Sequence, residues 1–477
     1  IDALKEIDGE LEDAILSEAG KFCAEVLAPL NHPGDTDGCN WDDGHVTTPP
    51  GFKEAYDGFV EGGWTTLAAA PEYGGQGLPT RLNLLVDEMI CSTNLAFGMT
   101  PGLTLGAYHA IAAHADQTLK DKYLPNMAAG RWSGTMCLTE PHCGTDLGLL
   151  RTKAEPEKDG SYRVTGTKIF ISAGEHDLTE NIIHLVLARL PDAPRGVRGI
   201  SLFLVPKFRV DEDGNVGERN GVQCGAIEKK MGIHASPTCV MNFDDAQGFL
   251  VGVAHEGMRQ MFTMMNAARL GVGNQGIGLA EAAYQGAVQY ARERLQGRAL
   301  KGPAHPDKPA DPIIVHPDVR RMLLTMRAWA QGCRALATWI STELDISTKH
   351  PDPQRRQSAD DFVQLMTPVV KAFCTDVGFE SANLGVQVMG GHGYVSDHGM
   401  EQLVRDARIA QIYEGTNGIQ ALDLVGRKLG AHTGRYLRGF FHPVQAFIDE
   451  HMEHEEVADV ITPLAKSFGR LQRASAH

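Results

Sequence analysis

The stretch RDARIAQIYEGTNGIQ, from Arg405 to Gln420, decides how this chain is read. Its first half reads as a helix running to about Ile412. Tyr413-Glu414-Gly415 follows as a loop, and Thr416 or Asn417 caps a new helix predicted to run through Leu429. The start of that helix offers free N–H groups and a positive dipole end, which suit a pyrophosphate. A carboxylate fixed in the loop before it, beside an apolar bundle, acquires a raised pKa and can act as a base. Glu414 is therefore the candidate base. Read alone, the same residue is a surface Glu in a helix–helix turn.

Three segments upstream bear on that choice. In MCLTEPHCGTD (Met136 to Asp146) a β-like run ends in Thr-Glu-Pro, and a turn with Gly144 and Thr145 follows. Such a turn exposes N–H groups and hydroxyls to a flavin edge or a phosphate. In GTKIFISAG (Gly166 to Gly174) a strand carries Phe170, Ile171 and Ser172 and closes on glycine. In QVMGGHGY (Gln387 to Tyr394) glycines cluster after a long helix, where they admit a cofactor close to the backbone or simply end the helix. Taken one at a time, these segments also read as a turn, a core Phe and a helix end.

The surroundings divide into zones. Residues 1 to about 134 read as mostly helical, with Leu84–Ile90 and Gln117–Met127 as candidates and Pro71–Pro79 as a loop. Residues 135–252 are rich in short β runs, namely Lys168–Ser172, Ile182–Leu190 and Ile200–Phe208. Asp159-Gly160 is a hairpin turn signal. Several strands without intervening helices predict a small antiparallel β domain. From about 253 to 434 the helical period returns in Met258–Leu295, Asp318–Asp345, Gln364–Met389 and Met400–Ile412, which predicts a bundle. Lys301–Pro312 is a loop, and residues 435–477 form a C-terminal extension that holds the acidic stretch HMEHEEVAD. The predicted class is α+β: a helical domain, a β domain, then a helical bundle.

Composition narrows the function. The 477 residues hold 44 Lys+Arg against 60 Asp+Glu, a net charge of −16, which disfavours nucleic acid as the main partner. Nine scattered cysteines, odd in number and without a CxxC, point to a reducing compartment and a cytoplasmic location. No apolar run reaches the length of a membrane span. The chain starts at Ile1 rather than Met, so residues upstream are expected to be missing.

Two motifs are set aside. Gly271-Val-Gly-Asn-Gln-Gly276 matches GxGxxG, but MFTMMNAARL before it reads as helix where a dinucleotide fingerprint needs a strand. Its glycines are read as small residues for helix packing. His451 and His454 lie on a solvated acidic helix face, and no metal is expected.

In their order and intervals the four segments resemble the acyl-CoA dehydrogenase family. The shared pattern is Thr-Glu-Pro with Gly-Ser/Thr-Asp, an aromatic-Ile-Ser/Thr strand, Gln-x-x-Gly-Gly-x-Gly-Tyr/Phe, and Ile-Tyr-Glu-Gly-Thr. Glu228–Gly232 (EKKMG) and Glu293-Arg294 add to the likeness, which covers nearly all of residues 1–430. The family fold is the architecture read above.

The resemblance implies an FAD cofactor and an acyl-CoA substrate, oxidised to a trans-2-enoyl-CoA. Glu414 would remove the α-proton while a hydride leaves the β-carbon. Electrons would pass to an electron-transfer flavoprotein, and the chain would form a homodimer or homotetramer. Carried over by residue, Met136, Leu138 and Thr139 line one side of the flavin, and Phe170, Ile171 and Ser172 the other. Gly144 and Thr145 meet flavin and CoA. Arg294, Gln296, Gln387, Gly390 and Gly391 hold the FAD phosphates or adenine across a subunit interface. Thr416 caps the helix at the pyrophosphate. Arg269 sits near CoA, and Tyr413 and Gly415 flank Glu414 at the substrate.

Some positions depart from the pattern. Phe170 stands for the common Trp, Thr145 for Ser, Gly418 for a polar residue, and Glu293–Gly297 (ERLQG) lacks the usual Phe. The segments TEPHCGTD and GEHDLTENI and the 301–312 linker resemble a large bacterial subfamily. It includes 3-methylmercaptopropionyl-CoA dehydrogenase, of dimethylsulfoniopropionate degradation. Members carry a longer C-terminal region, so that region is expected to be truncated here. The acyl group is expected to be 3-methylmercaptopropionyl or a short to medium chain. An acyl-CoA oxidase and a non-catalytic nucleic-acid-binding relative are the alternatives.

Overall fold

In the computed structural model, residues 7–476 are described. Helices come first. Asp8 caps α1 (Gly9–Phe22) by accepting from Leu11 N, and α2 (Ala28–Asp37) and α3 (Phe52–Glu61) follow around a small hairpin of β1 (Asn40–Asp42) and β2 (His45–Thr47). The long α4 (Thr80–His114) is kinked at Asn94, whose φ is −158°. The kink has a cause in the side chain: Asn94 Oδ1 accepts from Phe97 N at 3.0 Å, and Nδ2 donates to Leu27 O at 3.3 Å. Asp116 then caps α5 (Gln117–Ala128).

The middle of the chain is a seven-stranded sheet. It holds β3 (Trp132–Cys137), β4 (Lys153–Pro156), β5 (Tyr162–Ser172), β6 (Asn181–Arg189) and β7 (Ile200–Pro206). A separate hairpin, β8 (Phe208–Val210) and β9 (Val216–Arg219), precedes β10 (Val222–Ile227) and β11 (Thr238–Leu250). The predicted hairpin at Asp159-Gly160 joins β4 to β5 in antiparallel register. Because β7 pairs with both β6 and β11, part of the sheet closes on itself. Six of the eight residues Asn181–Ala188 in β6 are apolar, and all eight are buried, as a strand covered on both faces requires.

The expectation of a purely antiparallel domain is corrected here. β3 pairs with β6 in parallel, from Trp132↔Asn181 to Cys137↔Val186. A parallel pair needs a long crossover, usually a helix. Here the β4–β5 hairpin itself occupies the excursion between the two strands, so the absence of a helix in the sequence concealed the parallel pair.

The remaining helices are α6 (Gly257–Glu293), α7 (Pro317–Lys349), α8 (Pro353–Met389), the single turn α9 (Gly391–Tyr394), α10 (Met400–Ala410) and α11 (Asn417–Asp423). The predicted helix through Leu429 continues beyond α11 as a π-helical turn, Leu424–Lys428. The GxGxxG match lies inside α6, as read from the sequence. Its glycines let α8 approach: a Cβ on Gly276 would fall 2.3 Å from Cys374 O, and one on Gly273 2.7 Å from Val370 Cγ1. The extension forms α12 (Ala431–His451) and α13 (Ala458–Ala476), joined by a small core of Ile448, Ile461 and Phe468. Among the described residues, no helix is long and apolar enough to cross a membrane.

Candidate active site

The turn between α10 and α11 is unusual in its backbone. Glu414 has φ +56° and Gly415 φ +84°, two consecutive left-handed residues that reverse the chain. Glycine adopts this conformation freely, whereas a Glu needs surrounding contacts to hold it there. The contacts come from both flanks. Gln420 Nε2 donates to Glu414 O at 3.2 Å and to Gly415 O at 3.1 Å. A Cβ at Gly415 would lie 2.7 Å from that Nε2, so glycine is required for space as well as for φ. Thr416 is the N-cap of α11, accepting from Ile419 N.

Asn417 ties the turn to α8. Its Nδ2 donates to Asp376 Oδ1 at 2.7 Å and to Thr375 Oγ1 at 3.0 Å, and its Oδ1 accepts from Lys371 Nζ at 2.8 Å. On the other side, α10 is bolted to the β region. Asp406 Oδ1 accepts from Ile233 N, and Arg405 pairs with Asp35 and Glu401. The turn is thus fixed relative to α8 and to the loop before β11.

Burial dominates the electrostatics. It lifts the Glu414 carboxyl to about 7, against the opposing pull of the Arg269 and Lys371 cations. Arg269 is buried, its Nε has no hydrogen-bond partner among the described residues, and its guanidinium reaches Asp423 at 3.7 Å. Burial lowers Arg269, with Asp423 and Glu414 opposing. Tyr413 hydrogen-bonds Gln275 and lies 3.8 Å from Met99 Sδ, and burial raises its phenol. The backbone N–H of Glu414 meets no acceptor among the described residues.

The two upstream segments are brought together at the ends of β3 and β5. Ile169 N donates to Thr139 O at 2.9 Å, so Thr139 adjoins the strand end that carries Phe170. Met136, Leu138, Thr139 and Ser172 are half-buried, and Gly144 and Thr145 are exposed. Phe170 is 60% exposed, with φ +59°. Ile171 departs from expectation. Alternation along the strand turns its side chain into the sheet core with Cys239 and Val164, leaving only its backbone available to a cofactor.

Sequence reasoning missed what holds this edge. Glu140 and Lys168 form a buried ion pair at 2.8 Å, and Glu140 also accepts from Arg151 N, Thr152 N and Thr152 Oγ1. Burial alone would raise Glu140, but the Lys168 ammonium and these donors hold it at about 2. Lys168 Nζ also donates to Leu138 O, locking the Thr-Glu-Pro turn to β5. Glu140, His142 and Cys143 are grouped closely enough to suggest metal ligands. The Glu140 carboxylate is already engaged by Lys168 and Thr152.

The glycine cluster contributes to a second place. Arg294, Gln296, Gly390 and Gly391 line a cavity of about 590 Å³ together with Tyr290 and His392. Four of the five residues assigned to phosphate or adenine therefore share one concavity. Gln387 is exposed one turn earlier on α8 and is not part of the lining. None of Thr139, Phe170 and Glu414 lines that cavity, so within one chain the expected cofactor residues form two groups. Lys371, Asn417 and Gln420 were also missed. The only signal was a lysine inside the apolar run Pro368–Cys374.

The acyl-CoA dehydrogenase N-terminal, middle and C-terminal domain families match residues 9–131, 135–246 and 255–429. A 3-methylmercaptopropionyl-CoA dehydrogenase of Ruegeria pomeroyi is 49% identical over 439 residues, 92% of this chain and 74% of that protein. A butyryl-CoA dehydrogenase of Syntrophomonas wolfei is 37% identical over 452 residues, 91% of this chain and 73% of that protein. The solved butyryl-CoA dehydrogenase of Megasphaera elsdenii superposes with a TM-score of 0.71 at 26% identity, covering 88% of this chain and 98% of that one. FAD is the cofactor that goes with these relationships. The chain belongs to the acyl-CoA dehydrogenase family and is an oxidoreductase of that family.

Proposed function

We propose that the chain oxidises an acyl-CoA thioester between its α and β carbons, with Glu414 as the base. The observation that carries this reading is the Glu414 turn. A carboxylate held in a left-handed conformation, with burial lifting it to about 7, is matched to proton abstraction near neutral pH.

An α-proton next to a thioester is too weakly acidic for a carboxylate in water. Abstraction needs stabilisation of the charge that develops on the thioester oxygen. The unpartnered N–H of Glu414 is a donor for that oxygen. Gln420 fixes the two peptide planes that follow it. Tyr413 and Gly415 bound the base. Arg269, packed under the turn, favours the ionised form of Glu414 that takes the proton.

FAD, when bound, supplies the acceptor for the hydride that leaves the β-carbon. The residues present fit such a group. Met136, Leu138, Thr139 and the exposed Phe170 ring, with Ser172, offer a half-buried edge for a flat ring. Gly144 and Thr145 lie on the exposed turn beyond that edge, where flavin and CoA would both be reached. The cavity of Arg294, Gln296, Gly390 and Gly391 offers a cation and open backbone for a phosphate or adenine. The separation of these two groups in one chain favours a cofactor shared between subunits of a homodimer or homotetramer.

The substrate reading is 3-methylmercaptopropionyl-CoA or a short to medium acyl-CoA, and the electron acceptor an electron-transfer flavoprotein. The 49% identical relative bearing the first substrate's name supports that choice. Anaerobic bleaching of the flavin by a panel of acyl-CoAs, including 3-methylmercaptopropionyl-CoA and butyryl-CoA, tests it. Bleaching by none of them would refute the reading. Rapid peroxide formation without added acceptor would replace the dehydrogenase with an oxidase.

A further inference from the structure

Lys371 sits in the middle of α8 in the apolar run PVVKAFC and is fully buried. A buried ammonium is costly unless it is hydrogen-bonded or balanced by an anion. Among the described residues its one hydrogen bond goes to a neutral atom, Asn417 Oδ1, at 2.8 Å. Asn417 is itself fixed by Asp376, Thr375 and the carbonyl of Ala372, so the acceptor cannot swing away. It is also only three residues beyond Glu414, and its own N–H donates to Gln411 O, across the base of the same turn.

The charged groups that face Glu414 are Arg269 from α6 and Lys371 from α8. Those that face Lys371 are Glu414, Asp376 and Arg269. Arg269 already has an anion of its own, Asp423, with Arg427 nearby. Asp376 is occupied by Asn417 and Gln411. Among the described residues Lys371 has no such ion-pair partner in contact, and its field acts on the Glu414 turn.

We propose that Lys371 is a positioning residue for α-proton abstraction: anchored by Asn417, its ammonium stays beside the Glu414 turn and favours the ionised carboxylate. The inference rests on Glu414 being the base. Burial lowers Lys371 to about 8, so the ammonium is present at neutral pH and discharges in mild alkali. A purely structural lysine would staple α8 to α11 without altering how Glu414 titrates.

The test uses the FAD-loaded enzyme with butyryl-CoA as reductant, following anaerobic flavin reduction against pH in wild type, Lys371→Met and Lys371→Gln. The Gln variant keeps a donor to Asn417 and removes only the charge, so it carries the test if the Met variant does not fold. In both variants the midpoint of the reduction-rate profile should rise by about one pH unit. At pH 7 the ionised fraction of Glu414 would then fall from about half to about a tenth, a loss of roughly five-fold. Lys371→Arg should restore the wild-type midpoint. A second readout needs no substrate. The infrared titration of the Glu414 carboxyl, isolated as wild type minus Glu414→Gln, should move in the same direction. An unchanged midpoint and an unchanged carboxyl titration in folded, FAD-loaded Lys371→Gln would overturn the proposal. Wild-type flavin that butyryl-CoA leaves oxidised would count against the butyryl arm of the functional reading, while the infrared titration still decides the role of Lys371.

Discussion

Gln420 reaches back over the turn that precedes its own helix and donates from one amide nitrogen to the carbonyls of both Glu414 and Gly415, at 3.2 and 3.1 Å. The side chain is buried, and its Oε1 has no partner among the described residues. This amide bridges the two consecutive left-handed residues of the turn, Glu414 and Gly415.

Replacing Gln420 by Met keeps the volume and removes the donor. Two half-buried carbonyls would lose their partner, which costs up to about 1–3 kcal/mol. Calorimetry should report that loss as a lower Tm. Because small misplacement of a reacting group is expensive, flavin reduction should slow by up to about 10²-fold. A variant with wild-type reduction rate would show that the turn holds itself.

Glu414→Gln keeps the size of the base and removes its proton acceptor. Flavin reduction by acyl-CoA should fall by at least about 10²–10⁴-fold. The flavin absorbance of the purified variant should match wild type, since the substitution leaves the Thr416 cap in place and the other residues expected to hold FAD lie outside this turn. Turnover at the wild-type rate would remove Glu414 from the mechanism.

The same carboxyl should leave a mark on stability. Burial raises Glu414 to about 7 and Asp406 to about 6, both above their unfolded values. Between the unfolded and folded pKa values the native state binds more protons than the unfolded chain. Stability therefore falls as pH rises through about 4 to 7. Glu414→Gln removes one of these groups. Relative to wild type it should gain about 1–3 kcal/mol between pH 4 and pH 8, read by denaturant titration at both. A difference independent of pH would mean that Glu414 titrates like an exposed carboxylate.

Gly276 packs α6 directly against the backbone of α8, with Cys374 O 2.3 Å from where a Cβ would stand. Gly276→Ala gains up to about 1 kcal/mol of helix propensity but forces the two helices apart, at about 1–3 kcal/mol. The net effect should be a lower Tm. A stabilised variant would mean the crossing is loose enough to absorb a methyl group.

Much of this protein was legible from local pattern. Periodicity marked the long helices, and helical context rejected GVGNQG as a nucleotide loop, correctly by the position of Gly273 and Gly276 inside α6. The Tyr-Glu-Gly break and the Thr416 cap were legible because turns and caps are written in adjacent residues. The family resemblance came from four such local segments taken together.

Tertiary structure decided the rest. The parallel pairing of β3 with β6 depends on a register across strands far apart in the chain, which alternation within each strand does not encode. Ile171 was assigned to the cofactor edge with its neighbours, yet the pleat sends its side chain to the core and Phe170 outward. The sequence by itself could nominate Glu414 as a carboxylate in a loop. Its elevated pKa comes from burial, which outweighs the opposing pull of Arg269 and Lys371, residues 145 and 43 positions away. Desolvation and charge act through space, so only the packing of α6, α8 and α11 around that turn determines the acidity of Glu414.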